Sequence, residues 1–198
     1  MEKVTKEELK RRKILLIATT GLGAIGIVSM IYPFFASLAP SEAARAAGAP
    51  VRFDVSRLAP GALATVEWRG RPIWILHRSE AMLARLTQNV QTLADPDSSQ
   101  PQQPPYAKNP YRSIRPEYLV LTGICTHLGC IPLYRPEAGA ADIGGDWPGG
   151  FYCPCHGSRF DLAGRVFKNV PAPLNMEVPA HAYLDTGELL IGADSRSA

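Results

Sequence analysis

Along the chain, hydrophobic positions fall into one long block and a series of short alternating runs. From Ile14 to Ser41 no residue is charged, a stretch of 28 positions, when about 20 apolar residues suffice to span a bilayer as a helix. The run ILLIATTGLGAIGIVSMIYPFFASLA therefore predicts a transmembrane helix over 14–39. It is too long for a signal-peptide core of about 7–15 residues, although the small residues Ala47-Gly48-Ala49 leave a cleaved signal as the alternative. Tyr32, Phe34 and Phe35 lie near its far end, where aromatic rings favour the membrane interface. The Ala-rich stretch at 40–50, bracketed by Pro40 and Pro50, reads as a tether, with a short helix as the other reading because Ala is the best helix former.

Beyond residue 50 the pattern changes period. VRFDVSRL (51–58) alternates as a strand does, and ALATVEWRGRPIWILHR (62–78) reads as a hairpin turning at Arg69-Gly70. SEAMLARLTQ (79–88) predicts a helix capped by Ser79, with Met82, Leu83 and Leu86 on one face. EYLVLTGI (117–124) and GGFYC (149–153) read as strands that each run straight into a cysteine. GRVFKNV (164–170) and the pair HAYLD/ELLIGA around Thr186-Gly187 supply the remaining strands. Residues 94–116 hold six prolines and read as an exposed insertion. The predicted body, 51–198, is mostly antiparallel β.

Charge sharpens the orientation. The formal net charge is +3, and residues 2–13 carry six basic against three acidic side chains, which leaves 15 of each sign elsewhere. A neutral body excludes a nucleic-acid footprint. The basic segment 1–13 places the N-terminus in the cytoplasm and the body in a periplasm-like space, hence a single-pass protein of the inner membrane. Arg11-Arg12 before the apolar run also looks like a twin-arginine export signal, a route that carries folded proteins. The plainer reading is that the two arginines merely obey the positive-inside rule.

All four cysteines lie in two short motifs, CTHLGC (125–130) and CPCHGS (153–158). Written as Cys125-x-His127 and Cys153-x-x-His156, each loop offers one thiolate and one imidazole. Such a set suits tetrahedral zinc or a [2Fe–2S] cluster with two Cys on one iron and two His on the other. Two thiols are then left over, and in an exported protein they would oxidise to a disulfide.

The two motifs resemble the cluster-binding boxes of the Rieske iron–sulfur proteins, and the extra cysteines those of the Rieske subunit of bacterial cytochrome bc1 complexes (quinol–cytochrome c reductase). The resemblance runs over the whole chain and includes VPAP at 170–173, which covers the cluster in the family. It implies an antiparallel β-sandwich head with an inserted cluster-binding subdomain at about 122–175, one N-terminal transmembrane helix and a flexible tether. It implies Cys125 and Cys153 on the buried iron, His127 and His156 on the outer iron, and a Cys130–Cys155 disulfide. It also implies that His156, or else His127, meets the quinol. By the same resemblance Leu128 and Gly129 would form the tip that docks on cytochrome b, and Pro171 and Pro173 would belong to the covering loop.

The chemistry agrees with that assignment. Replacing two thiolates by neutral imidazoles lowers the negative charge of the cluster and lifts the potential to about −150 to +300 mV, against roughly −400 mV for an all-Cys plant-type cluster. Ser158 aligns with a family serine that donates to a cluster sulfide. Where many relatives have a tyrosine that donates to a ligand sulfur, this chain has Phe160, which predicts a lower potential. The implied function is transfer of an electron, with a proton, from ubiquinol at cytochrome b to cytochrome c1, in a dimeric complex that contributes to proton translocation. The Rieske subunit of a periplasmic molybdenum oxidase such as an arsenite oxidase is the alternative. A Rieske ferredoxin or oxygenase component is disfavoured by the anchor and by the extra cysteines. A zinc-stabilised structural domain is the non-redox reading. His77 and His181 read as structural, Trp68, Trp74 and Trp147 as packing, and Arg159–Asp161 as a surface ion pair of little worth.

Overall fold

A computed structural model of the protein describes residues 5–88 and 90–193. The chain divides into two compact units, Met1–Ala46 and Ala47–Ala198. In the first, α1 (Lys6–Ser37) begins inside the basic segment rather than at residue 14. Thr5 explains the early start: its hydroxyl accepts from the Glu8 N–H, and the Glu8 carboxylate takes the Thr5 N–H at 2.8 Å, a reciprocal cap. None of its residues is buried. A helix apolar on every face from Ile14 to Phe35, with none of these residues buried, is long and apolar enough to cross a membrane. The short helix α2 (Glu42–Ala47) occupies the centre of the predicted tether, as the Ala-rich composition allowed.

The second unit holds three antiparallel sheets. Strand β1 (Val51–Phe53) ends sooner than its alternation predicts. The Asp54 carboxylate accepts the Ser56 N–H at 3.0 Å and caps a single 3-10 turn over 55–57. β2 (Leu63–Trp68) and β3 (Arg71–His77) form the predicted hairpin, with Arg69 and Gly70 both at positive φ, 54° and 69°. Helix α3 (Glu80–Arg85) follows with Ser79 as its cap and is shorter than the span 79–88. Then come β4 (Tyr118–Thr122), β5 (Leu133–Arg135), β6 (Gly150–Cys153), β7 (Ser158–Phe160), β8 (His181–Tyr183) and β9 (Leu189–Ile191). The sheet orders are β1-β9-β8, β2-β3-β4 and β5-β6-β7.

The middle sheet is buried on both faces, and its alternation assigns each residue to a side. Ile73, Ile75 and Val120 face Leu189 and Ile191 of β9 in one core. Trp74, Leu76, Leu119 and Leu121 face Phe151, Cys153 and Phe160 of the β5-β6-β7 sheet in the other. Each of these fully buried aliphatic side chains is worth about 2 kcal/mol in apolar transfer. The β5-β6-β7 sheet is thus fastened to the middle sheet by its apolar face.

Two expectations are corrected. Residues 164–170 form no strand; only isolated bridges Phe160↔Val166 and Leu93↔Phe167 remain. Side chains satisfy that backbone instead: the Asp161 carboxylate accepts the Ala163 and Arg165 N–H groups, and Asn175 Oδ1 accepts the Val166 N–H. Residues 94–116 are irregular as predicted, but they are no exposed insertion. Ser98, Ala107, Arg112 and Ser113 are buried. The segment straps the body: the Val178 N–H donates to Gln102 O, and Asn175 Nδ2 donates to Asp95 O.

Candidate metal centre

Strand β4 leads into the first motif and β6 into the second, and both loops turn in the same way. The Gly129 N–H donates to Cys125 O at 3.1 Å, and the Gly157 N–H donates to Cys153 O at 2.9 Å. Each glycine sits at positive φ, 82° and 75°, with open space where a Cβ would lie. Conformation, not crowding, therefore demands glycine there. Two like turns side by side sink both cysteines and lift both histidines. Cys125 and Cys153 are each 2 % exposed. His127 is half-buried and His156 is exposed. Their rings lie edge to face with centroids 4.8 Å apart.

Cys130 and Cys155 are bonded to each other, a disulfide that joins the two loops. Their sulfurs and that of Cys153 lie mutually within 4.8 Å. That trio is not a donor set, because two of its members are already consumed in the bond. Cys125 and Cys153 are the free thiols. Burial pushes the Cys125 thiol up, and the neighbouring Cys153 adds to this; the His127 backbone and the Ser158 hydroxyl oppose it.

Neighbouring side chains tie the two loops to the rest of the head. Ser158, fully buried, accepts the Ala172 N–H at 3.1 Å, which ties VPAP to the second motif and leaves the hydroxyl proton free to donate toward the site. Thr126 Oγ1 donates to Leu174 O at 2.6 Å and holds the first loop to the same covering segment. Pro171 and Pro173 face solvent on either side of buried Ala172. Leu128 is 72 % exposed at the tip of the first loop, with Ile131 and Leu133 also exposed beside it in sequence. Phe160 is fully buried in the core that also holds Cys125 and Cys153.

Other residues settle as structural. His181 is buried, with Nδ1 toward Pro179 O at 2.9 Å, and His77 Nδ1 faces Leu58 O. Trp74 stacks on Phe151 and Trp147 donates to Arg135 O. The expected Arg159–Asp161 pair does not form. Asp161 pairs with Arg165 at 2.7 Å in the interior, and Arg159 lies over the Phe167 ring. The sequence reading missed Thr126, Asn175 and the buried arginines Arg78, Arg112 and Arg165; their partners are mostly backbone carbonyls far along the chain, which leave no local signal.

Residues 102–181 match the family described as "Rieske [2Fe-2S] domain", and residues 1–41 match "Ubiquitinol-cytochrome C reductase Fe-S subunit TAT signal". The ubiquinol-cytochrome c reductase iron-sulfur subunit of Allochromatium vinosum is 61% identical over 188 residues, 95% of this chain and 91% of that one. This chain belongs to the Rieske iron–sulfur subunit family. The Blastochloris viridis member is 40% identical over 94% of each chain. A chain of the solved "Hyperthermophilic respiratory Complex III" aligns with a TM-score of 0.47 and 25% identity, over 86% of this chain and 98% of that one. The donor set fits the family's cluster: two adjacent buried thiols and two imidazoles ring against ring are what a two-Cys, two-His [2Fe–2S] centre requires. The match over 1–41 also selects the export signal over a bare positive-inside pair.

Proposed function

We propose that this chain is the electron-transferring subunit of a ubiquinol–cytochrome c reductase, with Cys125, Cys153, His127 and His156 holding its [2Fe–2S] cluster. When bound, the cluster supplies one-electron chemistry at a potential high enough to accept from quinol. The chain's own residues do the rest. Cys125 and Cys153 keep the sulfur side away from water, and the Cys130–Cys155 bond holds the two loops at fixed spacing. His156, the more exposed ring, meets the quinol hydroxyl and holds its proton at the outer ring nitrogen. Leu128 and Gly129 make the apolar tip that seats on cytochrome b. Ser158 donates its free hydroxyl proton toward the cluster and so favours an added electron, while Pro171, Ala172 and Pro173 cover the site. Residues 1–13 lie in the cytoplasm, 14–39 cross the inner membrane among its lipids, 40–50 are the tether and 51–198 form the periplasmic head of a dimeric complex. The tether lets the head reach cytochrome c1 after cytochrome b.

The pairing of two buried thiols with two solvent-side imidazoles carries this reading. Relatives named as ubiquinol-cytochrome c reductase subunits favour it over a molybdenum-oxidase subunit. Purification from membranes in mild detergent tests it. Haem b and haem c should co-purify with quinol-dependent cytochrome c reduction; a molybdenum cofactor in their place would refute it. Stiffening 40–50 with prolines should slow that turnover and leave the cluster spectrum unchanged, and unaltered turnover would remove the tether role.

A further inference from the structure

Three arginines lie in the interior of the head. Arg78, Arg112 and Arg165 are 1 %, 0 % and 2 % exposed. All three converge on the loop 161–165, which leaves β7 directly after the second motif. Arg78 donates to Leu162 O, Arg112 to Ala163 O and Gly164 O, and Arg165 to the Asp161 carboxylate. Asp161 is the one buried carboxylate facing them among the described residues. Asp95 and Glu117, the other acidic groups in their field, are only half-buried. Burial pushes Arg78 down to about 9 and Arg112 to about 10, so both stay cationic at neutral pH. Among the described residues the buried arginines and carboxylates therefore number three positive against one negative.

Such an excess is expensive to bury, and Arg112 Nε has no partner at all. The loop that collects these charges shares a core with the site: Leu162 and Ala163 pack in the same cluster as Cys125 and Cys153. A Cβ added at Gly164 would meet both an Arg112 guanidinium nitrogen and the Leu121 side chain, and Leu121 belongs to that core as well. The medium between arginines and thiols is thus packed apolar side chains, where a charge is screened little.

We propose that Arg78, Arg112 and Arg165 form a buried cationic cradle that raises the affinity of the cluster site for an electron, with Asp161 setting its net charge. This rests on the cluster assignment above. The reduced cluster carries one more negative charge than the oxidised one, so a fixed positive excess in the core favours reduction.

Redox titration of the detergent-solubilised protein, followed by the electron paramagnetic resonance of the reduced cluster, tests the idea on Arg78→Gln, Arg112→Gln and the charge-keeping Arg78→Lys and Arg112→Lys. Amide hydrogen exchange over 161–178 is read on each. Both Gln variants should titrate at a lower potential, while the Lys variants stay near wild type even where exchange shows a loosened loop. Equal shifts in Gln and Lys variants, or no shift in either, overturn the proposal. If the Gln variants do not hold a cluster, Asp161→Asn decides: an upward shift supports the cradle and none, or a downward one, overturns it. A wild-type protein lacking the [2Fe–2S] signal overturns the cluster assignment and the cradle together; a normal wild-type signal with unmoved variants overturns the cradle alone.

Discussion

Removing the disulfide by a double Cys130→Ala, Cys155→Ala change should destabilise the head and shorten the life of the site. The bond closes a loop of 25 residues, and the chain-entropy relation makes that worth about 3.5 kcal/mol at 25 °C. A domain has only about 5–15 kcal/mol to lose. With an m-value near 2 kcal/mol/M in urea, the midpoint should fall by about 1.7 M. The double change leaves no unpaired partner of the broken bond to bind iron or to pair wrongly with Cys125 or Cys153. Within each loop the turns are closed by their own backbone bonds, Gly129 to Cys125 and Gly157 to Cys153, so both loops should survive locally. Lost instead is their mutual spacing, on which a shared cluster depends. Urea unfolding of the detergent-solubilised protein without reductant, followed by circular dichroism, gives the midpoint; visible absorbance in parallel gives the rate of cluster loss. A midpoint shift below about 0.3 M with an unaltered loss rate would refute the reasoning, because neither the entropy of the unfolded chain nor the spacing of the loops would then depend on the bond.

Phe160→Tyr should raise the reduction potential, since the buried ring lies in the core with Cys125 and Cys153 and gains a hydroxyl; redox titration showing no upward shift would sink this. His181 is buried and its pKa is lowered by burial, so the unfolded chain takes up its proton first as pH falls. Its neutral form is fully stable above the unfolded value of about 6.5 and stability declines as pH drops below that; His181→Asn should flatten the slope of urea midpoint between pH 7 and 5. Gly123→Ala would set a Cβ 2.4 Å from the Trp74 ring, which itself stacks on Phe151, and should cost about 3 kcal/mol or more by overpacking, with altered tryptophan fluorescence. Gly157→Ala meets open space and only a φ of 75°, so about 1–2 kcal/mol is expected in the same urea assay.

Much of this was legible in the letters, for physical reasons. The unbroken apolar block and the Arg69-Gly70 hairpin are local patterns, and α1 and the β2–β3 pair follow them. The Cys/His motifs are dense because a cluster needs its donors within a few ångströms of one another. The rest was carried by long-range contacts. Arg112 bonds to Met176 O across 64 positions and Arg165 to Leu86 O across 79, and nothing near either residue announces it. The six prolines of 94–116 correctly ruled out regular structure, yet burial followed from Asn175, Gln102 and Arg112 holding that backbone. GRVFKNV alternates like a strand, but Asp161 and Asn175 supply the acceptors a neighbouring strand would have offered. β5 and β7 are three residues each, too short for periodicity to register.

The likeness of the two loops accounts for the polarity of the site. One turn, used twice, sinks a thiol each time and leaves the imidazole the more exposed donor of each loop. On the proposed assignment an electron donor approaches His156 and His127, beside exposed Leu128. The sulfur side faces a packed core, and Arg78, Arg112, Arg165 and Asp161 are the buried arginines and carboxylate among the described residues. Docking and electron affinity are thereby separated. A change at Leu128 should alter the encounter with the partner and leave the potential alone, whereas a change of charge at Arg112 should do the reverse. Finding both properties moved by either substitution would show that the two sides of the site are not independent.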